Sequence, residues 1–191
     1  MKKERKDTGL IGAAGVYETL ARLSQHGWVA TMTPGNTPGV DILAYKTYKG
    51  KFLVRQIEVK TCNKSQPTNS AFWGKSIHWQ MHKKHEKALP NVWYCFVNFN
   101  EEFDVQTGNP FPKGSYPHTS VYLASSKQVA KFVKESHPKW LKNPDAKKEH
   151  KDTDMRRFCL GFKGEQYSVK STLMAAKCRD RWELLDKEDK S

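Results

Sequence analysis

Acidic residues are scarce: 20 Asp and Glu stand against 33 Lys and Arg, which leaves a net charge of +13 across 191 residues. An excess of that size points to polyanionic partners, nucleic acid before a membrane surface, because Lys and Arg contacts to phosphate release counterions. The charge divides as +5, +2 and +6 over residues 1–61, 62–125 and 126–191, so no detachable basic tail accounts for it. Cysteine is also sparse. Cys62, Cys95, Cys159 and Cys178 are far apart and form no CxxC pair, which excludes a zinc ribbon and a small disulfide framework. No apolar run approaches the roughly 20 residues that cross a bilayer. The short stretch from Leu10 to Val16 follows a Lys-rich start but is Gly-rich and passes straight into Tyr17-Glu18, so it reads as the entry to a helix and not as a signal peptide. A reduced cytoplasmic protein with no membrane partner is the expectation, and there are no internal repeats.

What is present is enough for a real core: 37% hydrophobic residues, with six Trp, nine Phe and seven Tyr, suit one domain with an elaboration. The chain is organised around residues 39–61. Gln56, Glu58 and Lys60 alternate with Ile57 and Val59, and a strand sends alternate side chains to opposite faces, so one face is apolar and the other carries Glu58 beside Lys60. Residues 40–45 read as a second strand, and Lys49-Gly50-Lys51 supplies a turn; the resulting hairpin would bring Asp41 near Glu58. Two carboxylates and an ammonium in one place have a chemical use. Hard divalent cations such as Mg²⁺ take one or two carboxylates plus substrate phosphate and water. A solvent-facing hairpin with ordinary surface charges is the alternative on the residues alone.

Gly39-Val40-Asp41, followed seventeen residues on by Glu58-Val59-Lys60, resembles the motif of the PD-(D/E)XK nucleases, and Gly15 through to Gly27-Trp28 is similar to the archaeal-type Holliday junction resolvase branch. The resemblance covers roughly residues 9–99. It implies a restriction-endonuclease-like fold and a Mg²⁺ (or Mn²⁺) ion held by Asp41, Glu58 and the backbone carbonyl of Val59, with Lys60 assisting the attacking water. Two departures stand out. Val40 replaces the proline of the motif, and Val16 occupies the position where many members carry a helix glutamate. The nearest acid is Glu18, a further candidate ligand that is about 200° round the helix from Val16 and would need a register shift; otherwise it pairs with Arg22 at i, i+4.

Along the rest of the chain, residues 1–8 read as a basic arm. A helix is expected over about 12–25, from Ala13, Val16, Tyr17, Leu20 and Leu23, with a short strand over 28–33. Residues 61–70 read as a loop at the exit of the Glu58 strand. A helix is expected over 77–89, with His78, His82 and His85 on one face, and the apolar run 92–99 is expected to be a central strand buried on both sides. The element order is then αβββαβ, an α/β architecture with a central mixed sheet flanked by helices. A strand over 120–124 and a helix opened by a Ser125/Gln128 capping box complete a nuclease-like domain over 9–136. Residues 137–191 are expected to form an α-rich extension packing on it, with a last helix over 171–185. Lys64, Lys75, Trp79, Gln80, Lys83 and Lys84 are candidate DNA contacts, and Arg156-Arg157 either binds phosphate or pairs with Asp152 and Asp154.

Three functional readings follow. The first is a Mg²⁺-dependent DNA endonuclease of restriction, resolvase or repair and defence type, a homodimer if it cuts both strands. The second is an inactive nucleic-acid-binding module on the same fold, and the third a structural partner in a larger assembly.

Overall fold

The computed structural model describes residues 8–35, 37–143 and 149–187. The basic arm expected over 1–8 lies outside the described residues except for Thr8, which starts the first helix. Helix α1 (Thr8–Gln25) leads through Gly27, at φ 76°, into β1 (Val29–Met32). Then β2 (Ile42–Tyr48) and β3 (Lys51–Asn63) form the anticipated hairpin. Lys49 and Gly50 both take positive φ, 49° and 74°, the combination that matches a tight turn to the twist of its strands.

The chain next departs from expectation. The loop expected over 61–70 is partly strand, with β3 running on to Asn63 and β4 over Thr68–Ser70, and where a helix over 77–89 was anticipated there are β5 (Gly74–His82) and one 3₁₀ turn at Lys83–Glu86. Ile77, Trp79 and Met81 are buried with period two, and pairing of β5 with the late strand β8 (Met155–Gly161) overrides the helical spacing of the histidines. β6 (Val92–Glu101) and β7 (His118–Ser125) follow, then α2 (Ser126–Leu141). Its capping box is present: the Ser125 amide donates to Gln128 Oε1 at 2.9 Å and the Gln128 amide to Ser125 Oγ at 3.3 Å. The C-terminal part is less helical than expected. Beyond the end of α2 its described residues hold β8, β9 (Leu173–Met174), the short α3 (Ala175–Cys178) and a 3₁₀ turn at Trp182–Leu184.

The strands make two sheets, ordered β1-β2-β3-β6-β7 and β4-β5-β8-β9. In the first, β3 and β6 are parallel and the other pairs antiparallel, so the architecture is the mixed α/β sheet with flanking helices that the sequence implied. Strand alternation sorts the interior into two cores. Ile42, Ala44, Ile57, Trp93, Cys95, Val97, Val121 and Leu123 face one way, packed with Leu23 of α1 and with Trp182 and Leu185. Tyr94, Phe96, Tyr122 and Ala124 face the other way, against Ile77, Trp79 and Met81 of β5, Phe158 and Leu160 of β8, and Phe132 of α2. No helix among the described residues is long and apolar enough to cross a membrane.

Candidate active site

β2 ends its pairing with β3 at Ile42–Ile57, leaving the following residues of β3 without a strand on that side. Asp41 fills the gap. Its amide donates to the Ile57 carbonyl at 2.8 Å, and its Oδ2 accepts from the Val59 amide at 2.6 Å. The loop before it is pinned where Thr33 Oγ1 donates to the Val40 carbonyl at 2.5 Å. Gly39 has φ 72°, and a Cβ built there would lie 3.7 Å from Glu58 Oε2, so the loop passes directly over the second carboxylate.

Glu58 is only 3% exposed, yet it is charged. Its Oε1 takes the Lys60 ammonium at 2.6 Å and His85 Nε2 at 3.0 Å, with Lys84 Nζ at 3.9 Å. Burial pushes the carboxyl up, but the His85 hydrogen bond and the Lys60 ammonium outweigh it and hold the group at about 2. The tautomer of His85 follows from its other nitrogen: Nδ1 accepts the His82 amide at 2.8 Å, so the proton sits on Nε2 and is donated to Glu58. Beneath them, the Tyr94 hydroxyl is pushed up by burial and by the charge of Glu58.

The three motif residues therefore meet at one end of the hairpin. The Val59 carbonyl belongs with them by strand geometry: amide and carbonyl of an extended residue point to the same edge, and the Val59 amide points at Asp41. An ionised buried carboxylate, a second carboxylate and a carbonyl on one edge are hard oxygen donors that suit Mg²⁺ or Mn²⁺, with substrate phosphate and water completing the shell. No group of three or more His, Cys, Asp and Glu that could hold a metal occurs among the described residues.

Glu18 is engaged elsewhere, accepting from Arg22 Nε at 2.8 Å. It is Val16 that lines a hollow of about 200 Å³ with Tyr17, Thr33 and Asp41. The expected DNA contacts scatter. Trp79 is corrected outright: it is 2% exposed in the core and its Nε1 donates to the Val97 carbonyl at 3.1 Å, because it lies on the inward face of a strand. Lys75 Nζ is bound to the Thr107 carbonyl at 3.0 Å and Asn109 Oδ1 at 2.7 Å. Lys64 and Lys83 are exposed. Gln80 and Lys84 stay with the site, lining an open hollow together with Lys60, His85 and Met155. Arg156 pairs with Glu86 at 2.5 Å, and Arg157 lies over the Trp73 ring.

His85 is the site residue that sequence reasoning missed. The signal was there in Ile77-His78-Trp79-Gln80-Met81-His82, whose alternation makes a strand and delivers the following turn to the end of β3.

No protein-family model matches the chain, and no curated protein matches it by sequence. Among solved structures it is similar to a bacterial homing endonuclease, I-Ssp6803I, with a TM-score of 0.48 and 13% identity over 95% of this chain and 92% of that one.

Proposed function

We propose that this chain is a Mg²⁺- or Mn²⁺-dependent DNA endonuclease of the PD-(D/E)XK type. The observation that carries the reading is the meeting of Asp41, Glu58 and Lys60 at the open end of β3, with Glu58 held ionised despite its burial. Asp41, Glu58 and the Val59 carbonyl would hold the cation. Bound there, it would lower the pKa of a water and offset the negative charge that develops on the phosphate. Lys60 orients the attacking water and faces the charge building on phosphorus, and His85 keeps Glu58 turned toward it. The reaction is hydrolysis: water oxygen bonds to phosphorus, one phosphorus–oxygen ester bond breaks, and a phosphate end and a hydroxyl end result. Lys84 and Gln80, on the rim beside Lys60, are placed to meet the DNA backbone. The excess of basic residues serves the same partner, and cleavage of both strands would call for a homodimer.

The test is cleavage of a panel of duplex, single-stranded, forked and four-way-junction DNA with Mg²⁺ or Mn²⁺. Asp41→Asn, Glu58→Gln and Lys60→Met are each expected to lower the rate by at least about 100-fold, with DNA affinity retained. Undiminished cleavage in the Asp41→Asn, Glu58→Gln double variant overturns the assigned site.

Two observations favour the second reading, an inactive DNA-binding module. The hollow beside Asp41 carries Val16 in place of an acid, and the protein's own cations already balance Glu58. Salt-sensitive DNA binding with no turnover under any divalent cation would decide for it.

A further inference from the structure

The face of β3 that carries Glu58 and Lys60 also carries Phe52, Val54 and Gln56, and that part of the face is bare. Register aligns Val54 with Tyr45 and Tyr45 with Val29, while Leu43 lies opposite Gln56. Five large apolar side chains thus stand together on one side of β1, β2 and β3: Val29 at 55% exposure, Leu43 at 42%, Tyr45 at 44%, Phe52 at 66% and Val54 at 41%. The opposite face of the same strands is packed at its centre, with Ile42, Ala44 and Ile57 at 0%. Over β6 and β7 the bare face is covered by β5, β8 and α2; over β1, β2 and the start of β3 nothing among the described residues covers it.

We infer that this bare sheet face is the contact surface of a homodimer, packed on the same face of a second copy about a two-fold axis. The argument is first electrostatic. The side chains that the three strands present here, those five with Thr31, Thr47 and Gln56, include no ionisable group other than the Tyr45 phenol, in a chain of net charge +13. DNA gains nothing from such a face, whereas two strongly basic copies can approach each other only where they are uncharged. The second argument is area. The five side chains expose on the order of 400–500 Å² of apolar surface per copy, a size at which patches are commonly functional. Doubled by symmetry and rimmed by the threonines and Gln56, this reaches about 1,000 Å², the lower end of specific interfaces. Two twisted sheets also pack naturally face to face. Phe52 is six residues from Glu58 along the same strand, roughly 20 Å, so the second copy would border the candidate active site without entering it.

This inference does not rest on the cleavage reading, because self-association is measured with neither DNA nor metal present. Sedimentation equilibrium of the full chain at roughly 1–100 µM is expected to give twice the 22.0 kDa monomer mass. Val54→Lys and, separately, Phe52→Lys are expected to weaken association at least about 100-fold by setting like charges opposite each other. Circular dichroism is expected to be unchanged in both, since each side chain points away from the core. Raising the salt concentration is expected to tighten the wild-type dimer, because it screens repulsion between the basic bodies. A wild-type chain that stays monomeric over this range overturns the inference, as does a dimer that persists in both folded variants.

Discussion

Lys60→Met tests the physical core of the site without any assumption about the reaction. Glu58 is held at about 2 in place of its ordinary 4.5. Because it is almost wholly buried, that difference is worth about 3 kcal/mol of folding stability at neutral pH. The sign is that of a depressed carboxylate: the contribution is complete above about pH 4.5 and drains away as pH falls toward 2. Methionine keeps most of the length of Lys60 and removes the ammonium that sits 2.6 Å from Glu58 Oε1. A hydrogen bond to a charged group contributes about 1.5–3 kcal/mol, so the variant is expected to lose about 1.5–2 kcal/mol at pH 7, measured by urea unfolding. By linkage that cost should fall by about a third at pH 3 and mostly disappear by pH 2. In a Glu58→Gln background the same substitution is expected to cost under about 0.5 kcal/mol. Equal costs in the two backgrounds would refute the claim that Lys60 acts on the Glu58 charge.

Gly15→Ala is expected to destabilise by about 1–3 kcal/mol in thermal unfolding, since a Cβ there would lie 2.0 Å from Thr61 Oγ1, and Thr61→Ala should recover much of the loss. Trp79→Phe is expected to cost about 1 kcal/mol through the lost bond to the Val97 carbonyl while leaving DNA affinity unchanged, as measured by fluorescence anisotropy. Val16→Glu adds a carboxylate to the hollow that holds Asp41 and is expected to tighten Mn²⁺ binding by about tenfold in calorimetric titration.

The hairpin was readable from sequence because three local signals agree there: two strand runs, the Lys49-Gly50 turn, and alternation that puts Glu58 and Lys60 on one face. The same agreement marked β6 as a central strand and Ser125 as a helix cap. Residues 77–89 misled because two periods coexist. Histidines at 78, 82 and 85 suggest a helix turn, while Ile77, Trp79 and Met81 alternate, and the deciding partner, β8, lies more than 70 residues away in sequence. His85 was consequently placed on a polar helix face and not against Glu58. The 171–185 region misled differently: its apolar spacing is helical, but the Leu173-Met174 segment pairs with β8, and Asp180 takes φ 51°, which interrupts any continuous helix.

The turn that holds His85 is capped locally by His82, whose amide donates to His85 Nδ1, and is braced from a distance as well. The Lys83 amide donates to the Asp154 carbonyl at 2.8 Å, and Glu86 is bound by Arg156, so part of its bracing arrives from the start of β8. The hairpin that brings Asp41 to Glu58 is local in sequence, whereas this brace on the His85 turn comes from a partner 70 residues further along the chain. A substitution that unseats the start of β8 would leave both carboxylates in place while loosening the turn that presents His85 to Glu58.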